Sequence, residues 1–454
     1  MVTLILFLTF AILLIFGVPI TVSLGLSAIF TMAVSTWVGN MTAGISFLIQ
    51  GMFTAFDSFP IMAIPMFMLV GEIMSRGGAS RRLINLASVI VGKVRGGLAY
   101  IAIVSSMFFA CISGSGPADV AAIATAMIPQ MKRYGYHRGY SAVCIGAAGT
   151  LGILIPPSIP AVIYGVVTAT SIGKLFIAGL IPGLLTGIAL MVTSYFIFGR
   201  TQGNLSTAKD GEDPNDALNA TPQNPDSDML QPKIAFIRAI YEAKYAIGMP
   251  ILILGGIYTG IFTPTEAASV AVAYGLIVTI LLDKELKVRE IVPVLLNASL
   301  ISGIVLILVG TAILFGQIMT LEHFHKTIST FILGLSPNKY VILAIILLFL
   351  IVLGMFMETL AAIILFGPML LKIVVPLGVD PIHFGIIMIL ASEVGFMTPP
   401  IGEHLFIVSS ISGEPLEKII VYALPYVLTL IVALIIVTFV PAVTLFLPNL
   451  IYNF

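Results

Sequence analysis

The sequence predicts an all-α polytopic membrane protein, built from two inverted repeats that each carry a re-entrant helical hairpin and a broken helix. Composition is the first observation: 59% of the 454 residues are hydrophobic and only 9% are charged, whereas soluble domains carry about 25% charged residues. The mean hydropathy of +1.13 agrees with this class. The second observation is a series of apolar segments of roughly 20 residues, the length that crosses a bilayer. The third is a pair of matching interruptions, one in each half of the chain.

The two interruptions share a glycine followed by a Pro-Pro pair. They read Gly152-Ile-Leu-Ile-Pro-Pro157 and Gly395-Phe-Met-Thr-Pro-Pro400, and the shared residues keep one constant offset along the chain. A Pro-Pro pair removes backbone donors and unwinds a helix. Because lipid cannot satisfy the freed carbonyls, such a break lies within protein or beside a polar cavity. Paired breaks in two halves indicate the binding site of a secondary transporter.

Two basic segments bracket the first predicted hairpin. Segments 76–95 and 132–138 contain several Lys and Arg residues and no acid, so the positive-inside rule places both in the cytoplasm. The intervening residues 96–131 are too few for two full spans, since each arm has only about 15 residues. We therefore predict a hairpin that enters and leaves on the cytoplasmic side, with its tip at 113–117.

A matching hairpin is predicted in the second half. Its arms are 340–353 and 358–375, and its tip is 354–357. The flanking loops are poor in basic residues, which favours the opposite face of the membrane and therefore an inverted repeat.

A polar stretch at 199–232 reads as a solvated linker and divides the chain into repeats 1–198 and 233–454. We predict scaffold helices in 1–95 and 233–335, hairpin-and-break regions in 96–198 and 336–418, and a last helix in 419–449. Segment 233–245 reads as an interfacial amphipathic helix. We expect about 11 crossings plus the two hairpins. The predicted spans are 2–16, 19–36, 43–74 (with a possible interruption at Pro60 and Pro65), 139–155, 160–198, 246–282, 291–318, 382–396 and 419–449.

Charge and motif patterns disfavour other classes of protein. The balance of 21 basic and 21 acidic residues shows no basic stripe, which argues against a nucleic-acid partner. An intramembrane enzyme using Ser113 or Ser115 as nucleophile would need a general base, and the nearby Asp119 is a poor substitute for histidine. Re-entrant tips on opposite faces suit alternating access better than a continuous pore. The sequence therefore predicts a transporter and not an enzyme.

The tips and breaks have the chemistry of cation sites. They expose several carbonyl oxygens at once, and a hard cation such as Na⁺ prefers oxygen ligands. We predict two quasi-symmetric Na⁺ sites, each formed by one tip and one break, with substrate between the two tips. The predicted Na⁺ ligands are Ser113, Ser115, Gly152, Ile155 and Pro157 in the first half and Gly354, Gly395, Thr398 and Ile401 in the second. The substrate is expected near Gly114, Gly116, Pro156, Pro399, Glu403 and His404. The alternative that these residues only kink packed helices stays open from the sequence.

Four acids lie close to the tips and breaks. Asp119 and Glu358 each open the second arm of a hairpin, where helix capping is favoured over ion ligation. Glu393 and Glu403 flank the second break, and the sequence leaves open whether they face solvent or carry protons.

Five motifs together resemble the large membrane subunit of TRAP transporters, the DctM family, over essentially the whole chain. They are FGVPITVSLG at 16–25, Ser-Gly-Ser-Gly at 113–116, GTLGILIPPSIPAVIYG at 149–165, FTPTEAASVAVAYG at 262–275 and VGFMTPPIGEHLF at 394–406. The resemblance implies an elevator-type secondary transporter of the bacterial cytoplasmic (inner) membrane that is driven by a Na⁺ gradient. It also implies two partners: a small four-helix membrane subunit of the DctQ type, and a periplasmic binding protein of the DctP type that delivers an organic acid.

The resemblance also bears on single residues. It implies Na⁺ sites at the matching positions, which are Ser113, Gly152, Ile155, Pro157, Gly354, Gly395, Thr398 and Ile401. The family often has an Asn in the Gly-x-Asn-x-Phe motif after the second Pro-Pro, whereas this chain has Glu403 and His404 there. The organic acid is therefore open. A stand-alone Na⁺/dicarboxylate carrier of the ion-transporter type is the rival, and a requirement for a binding protein separates the two.

Overall fold

The computed structural model describes residues 2–37, 45–92, 94, 96–201, 236–336, 338–400 and 402–452. Within these ranges the chain is helical, with no β-strand. The predicted linker lies mostly outside the described residues, although residues 199–201 still belong to the preceding helix. The helices of the first half are α1 Val2–Ile15, α2 Ile20–Trp37, α3 Ile45–Phe56, α4 Ala63–Arg76, α5 Ala79–Val91, α6 Gly97–Ser113, α7 Gly116–Arg133, α8 Arg138–Gly149, α9 Ile159–Thr168 and α10 Ile172–Thr201.

The second half repeats the order of a hairpin followed by a broken helix. Its helices are α11 Phe236–Tyr258, α12 Pro264–Leu276, α13 Ile291–Leu321, α14 Phe324–Leu335, α15 Lys339–Gly354, α16 Thr359–Val374, α17 Pro381–Phe396, α18 Glu403–Ser412, α19 Leu416–Phe439 and α20 Ala442–Tyr452. Short 3₁₀ turns at Phe59–Met62 and Thr150–Ile153 precede α4 and follow α8.

Seven helical stretches of the described chain are long and apolar enough to cross a membrane. Seven further apolar helices of 10–17 residues accompany them, among them α1, α6 and α15. This confirms the all-α polytopic fold class. The number of crossings, about 11 from the sequence, stays a prediction.

Both predicted hairpins are present. The first consists of α6 and α7, joined by Gly114 and Ser115, within the predicted tip at 113–117. The second consists of α15 and α16, joined by 355–358, one residue from the predicted tip. Glycine and polar residues favour the end of a helix, and for this reason the sequence predicts both hairpin turns to within one residue.

Four predicted spans are divided in the structure. Segment 43–74 breaks at 57–62, which contains Pro60, whereas Pro65 lies inside α4. Segment 160–198 breaks where Ala169 adopts a left-handed φ of 54° at the end of α9. Segment 246–282 breaks after Tyr258, because Thr263 and Glu266 form a capping box that starts α12. Segment 419–449 breaks at Val440 and Pro441. The predicted interfacial helix at 233–245 is instead the first part of the continuous helix α11.

The packing links the two halves around the hairpins. The long helix α13 packs against α2, α3 and α4, and α12 also packs against α4. The second arm of each hairpin crosses to the other half, since α7 contacts α18 and α16 contacts α9. Each of these partner helices follows a Pro-Pro break, so each hairpin lies between the two broken helices.

An ion cluster joins the basic helix α5 to the segment between α12 and α13. The Arg82 guanidinium donates to the Asp283 carboxylate and, at 2.7 Å, to Glu285 Oε1. Arg82 and Asp283 keep only 18% and 12% of their side-chain surface exposed. The cluster therefore ties an element of the first half to the second half.

Candidate functional site

The first hairpin tip contacts the first break directly. Pro156 and Pro157 have no N–H, so the helical ladder is interrupted between Ile155 and Ile159. The Ile159 N–H instead donates to the carbonyl oxygen of Gly114 at 3.2 Å. Gly114 has a φ of 63°, and a Cβ there would lie 2.7 Å from the Pro157 carbonyl oxygen. Only glycine allows this approach without strain.

A buried carboxylate lies in the same place. The Ser113 hydroxyl donates to Asp119 Oδ1, and a Cβ added to Gly152 would lie 2.5 Å from Asp119 Oδ2. The Asp119 side chain is fully buried, and Oδ2 has no hydrogen-bond partner among the described residues. Asp119 therefore bridges the tip and the break of the first half.

This placement corrects the sequence interpretation of Asp119 and Glu358 as helix caps. Asp119 lies in the first turn of α7, but its carboxylate accepts from the Ser113 hydroxyl. Glu358 occupies the N-cap position of α16 and makes no capping hydrogen bond through its side chain. Asp119 is not among the Na⁺ ligands predicted from the sequence. The sequence signal for a role of Asp119 at the site is an acid in an apolar segment, six residues after the hydroxyl of Ser113.

The second tip and break meet through their backbones. A Cβ added to Gly395 would lie 2.4 Å from the carbonyl carbon of Gly354 and 2.8 Å from the Met355 nitrogen. A Cβ added to Gly354 would lie 2.7 Å from the Ser392 carbonyl oxygen. Neither approach leaves room for a side chain, so both glycines are required by the packing.

The remaining second-half residues follow in the break. The Thr398 hydroxyl donates to the Val394 carbonyl oxygen at 2.6 Å, which leaves its oxygen lone pairs available as an acceptor or ligand. The Pro399–Pro400 bond is cis, as is Pro156–Pro157. Gly402 then has a φ of 55° and precedes α18. Ile401 lies outside the described residues.

His404 connects the second break to the first hairpin. Its Nδ1 lies 3.1 Å from the Gly146 carbonyl oxygen on α8, and a Cβ on Gly116 would lie 3.0 Å from its Nε2. Nε2 also lies 3.7 Å from Glu393 Oε2, and both side chains are fully buried. His404 is therefore packed between α7, α8 and α17, whereas the neighbouring Glu403 is partly exposed.

Of the predicted site residues, the structure brings together Ser113, Gly114, Gly152 and Pro157 around the first tip, and Gly354 and Gly395 around the second. Ser115 is the N-cap residue of α7, and its N–H donates to the Ser113 hydroxyl oxygen at 3.2 Å. Carbonyls and hydroxyls in such an arrangement can coordinate a hard cation.

Comparison with known proteins gives the family. The model of the "Tripartite ATP-independent periplasmic transporter, DctM component" family matches residues 7–443. The isethionate TRAP transporter permease protein DctMQ of Oleidesulfovibrio alaskensis is 43% identical over 96% of this chain and 65% of its own length. The C4-dicarboxylate TRAP transporter large permease protein DctM of Pseudomonas aeruginosa is 39% identical over 88% of each chain.

Two further comparisons extend this result. The sialic acid TRAP transporter large permease protein SiaM of Vibrio cholerae is 34% identical over 96% of this chain and 95% of its own. The crystal structure of the Alcanivorax borkumensis YdaH transporter superposes with a TM-score of 0.56 at 14% identity, covering 88% of this chain and 89% of that one. At this identity the YdaH comparison supports the fold alone. The sequence matches are decisive, and the chain belongs to the DctM family of TRAP transporter large permease subunits.

Proposed function

We propose that this chain is the large transmembrane subunit of a tripartite, Na⁺-driven importer of a small organic acid in the bacterial inner membrane. A periplasmic DctP-type protein delivers the substrate, and a DctQ-type small subunit completes the membrane complex. The hairpins and broken helices carry the substrate across in an elevator-like motion against a scaffold that includes α13.

The correspondence of the two tip-and-break contacts supports this proposal most strongly. In the first half the Gly114 carbonyl accepts from Ile159, and in the second half Gly354 packs onto Gly395. Each contact brings a glycine at the end of a hairpin arm against a helix that borders a Pro-Pro break, where the helical ladder of hydrogen bonds is interrupted. Such arrangements at the junction of two repeats are where transporters bind their coupling ions.

The named relatives suggest the class of substrate. They include permeases for isethionate, C4-dicarboxylates and sialic acid. All three are organic anions, so a carboxylate or sulfonate head group is the shared feature. The chain spans 65% of the length of the isethionate relative DctMQ, whose name combines the two membrane components and suggests that the rest supplies the small subunit.

Reconstitution tests the proposal. The chain is placed in proteoliposomes with its candidate small subunit, and uptake of labelled isethionate, succinate and sialic acid is measured with and without an inward Na⁺ gradient. Each condition is run with and without the binding protein. Uptake that needs both Na⁺ and the binding protein supports the tripartite proposal. Uptake that needs Na⁺ alone favours the stand-alone carrier, and uptake indifferent to Na⁺ contradicts the proposed driving force.

The hydroxyls of Ser113 and Thr398 give a test at the site. Ser113→Ala and Thr398→Ala each remove one oxygen ligand, so the Na⁺ concentration for half-maximal uptake should rise roughly tenfold, or about 1.4 kcal/mol. The matched controls are Ser141→Ala and Thr311→Ala, whose hydroxyls donate to helical carbonyls elsewhere. An unchanged Na⁺ dependence in both site variants contradicts the assignment of these hydroxyls.

A further inference from the structure

A cavity of about 440 Å³, lined by no residue of either tip, lies between the two parts of the molecule that the proposed mechanism moves relative to each other. One wall is formed by residues 312–321 of α13 and by Ser58 and Ile61 before α4. The opposite wall is formed by the end of α9 and by residues 364–372 of α16. The volume falls in the range of ordinary ligand sites for small molecules, roughly 300–1,000 Å³.

The cavity begins close to both tips and leads away from them. Helix α9 starts at Ile159, which is hydrogen-bonded to the first tip, and its residues Val166 and Val167 line the cavity. Helix α16 starts at the second tip, and its lining residues run from Ile364 to Lys372. At about 1.5 Å per helical residue, the lining extends from about 8 Å to about 20 Å beyond the tips. Lys372 lies near the base of the second hairpin, on the face that the sequence predicts to be extracytoplasmic.

The polar groups of the lining suit an anion. Ser58, Gln317, Thr320 and Lys372 interrupt otherwise apolar walls, and the described lining contains no acidic side chain. Lys372 is exposed in the last turn of α16 and forms no ion pair with any described residue. An ammonium group without a carboxylate partner, at the end of a mostly apolar cavity, attracts organic anions.

Gln317, another polar residue of the lining, is held in place by packing. Its amide packs over Gly51 of α3 so closely that a Cβ there would lie 1.6 Å from Gln317 Nε2. The other amide atom, Oε1, is buried without a hydrogen-bond partner in the described part of the chain. The amide is therefore fixed by packing, and its buried oxygen is out of reach of a ligand in the cavity in this conformation.

We propose that this cavity is an anion-holding site on the path from the binding protein to the tips, where Lys372 pairs with the carboxylate or sulfonate head group of the substrate. Ser58 contacts a polar group of the substrate, and the apolar walls from α13 and α16 contact its carbon chain. The proposal rests on the proposed function, because it assigns a second position to the same transported anion. It adds a residue that selects negative charge before the Na⁺-dependent step.

Charge variants test the role of Lys372 in the reconstituted complex. Lys372→Gln should raise the half-saturating concentration of isethionate or succinate about tenfold, with little change in maximal uptake, and Lys372→Arg should restore it. Lys339→Gln is the control, because Lys339 begins the first arm of the same hairpin but does not line the cavity. An unchanged half-saturation in Lys372→Gln, or an equal rise in Lys339→Gln, overturns the proposal.

Two glycines of α13 give a second test that needs no uptake. Gly316 lines the cavity and Gly303 does not, and a Cβ at either position meets no atom within 4 Å, so both tolerate substitution. Gly316→Cys should react with 2-sulfonatoethyl methanethiosulfonate added from the outside, and isethionate or succinate should slow this labelling. The labelling of Gly303→Cys should not be slowed by either anion. The chain without an added cysteine measures the background labelling of its two native cysteines.

The labelling result separates this proposal from the proposed function. Protection is measured at equilibrium without a Na⁺ gradient, so it is expected even if transport proves not to be driven by Na⁺. Adding Lys372→Gln to Gly316→Cys should weaken the protection about tenfold. Labelling of Gly316→Cys that neither anion slows, or that occurs only from the cytoplasmic side, contradicts an extracytoplasmic holding site.

Discussion

Gly395→Ala probes the contact between the second tip and the second break. The added methyl would lie 2.4 Å from the carbonyl carbon of Gly354, whereas ordinary contacts begin at 3.4 Å. The tip must therefore retreat by about 1 Å, because backbone atoms cannot rotate away as a side chain can. Gly303→Ala is the matched control, since its methyl meets no atom within 4 Å.

The expected effect falls on Na⁺ binding more than on folding. Overpacking costs about 1–3 kcal/mol, and replacing a helical glycine with alanine returns about 0.5–1 kcal/mol. The net loss in the free energy of unfolding without Na⁺ is therefore about 0–2.5 kcal/mol, and it cancels when Na⁺ and K⁺ are compared within the same variant. A shift of about 1 Å in a set of ligands is enough to weaken an interaction tenfold to a hundredfold. We predict at least a tenfold loss of Na⁺ affinity at the second site.

The unfolding temperature in Na⁺ against K⁺, at constant ionic strength, measures this loss. At a Na⁺ concentration one hundred times the dissociation constant, one site stabilises the folded chain by about 2.7 kcal/mol. A tenfold weaker site at the same concentration contributes about 1.4 kcal/mol. Full stabilisation by Na⁺ in Gly395→Ala, or an equal loss in Gly303→Ala, would refute the assignment of this contact to a Na⁺ site.

Three further predictions concern stability. Arg82→Gln leaves the mostly buried Asp283 unpaired and should lower the free energy of unfolding by about 2–3 kcal/mol, measured as a lower unfolding midpoint. The control is Arg238→Gln, at a side chain 72% exposed, which should change the free energy of unfolding by less than about 0.5 kcal/mol. Equal effects of the two substitutions would contradict the buried ion cluster. His404→Ala empties a fully packed position and should cost about 2–4 kcal/mol, so an unchanged midpoint would exclude the observed packing. Thr263→Ala removes the capping box at the start of α12 and should cost about 1 kcal/mol, and no change would show that this cap is dispensable.

The hairpins and broken helices were readable from the sequence because their signals are local. Ser113–Pro117 combines hydroxyls, glycines and a proline in an apolar segment, and the structure places a two-residue turn there. Prolines alone do not give such signals, since Pro182, Pro250 and Pro425 remain inside continuous helices. The division of 419–449 at Pro441 therefore had no distinctive sequence signal.

Other features depend on tertiary packing and have no local signal. The left-handed Ala169 that ends α9 cannot be recognised from an alanine. The approach of Gly354 to Gly395 joins residues far apart in sequence, and the same holds for His404 and the Gly146 carbonyl. Asp119 was assigned to capping because its position in the first turn fits that role, and only the fold brings its carboxylate to Gly152.

We propose that each tip-and-break pair holds one Na⁺. The most direct test is equilibrium binding of radiolabelled Na⁺ to the purified complex by scintillation proximity, comparing the native chain with Gly152→Ala, Gly395→Ala and the double variant. We expect two ions per chain in the native protein, one in each single variant and none in the double variant. Native stoichiometry and affinity in the double variant would contradict it.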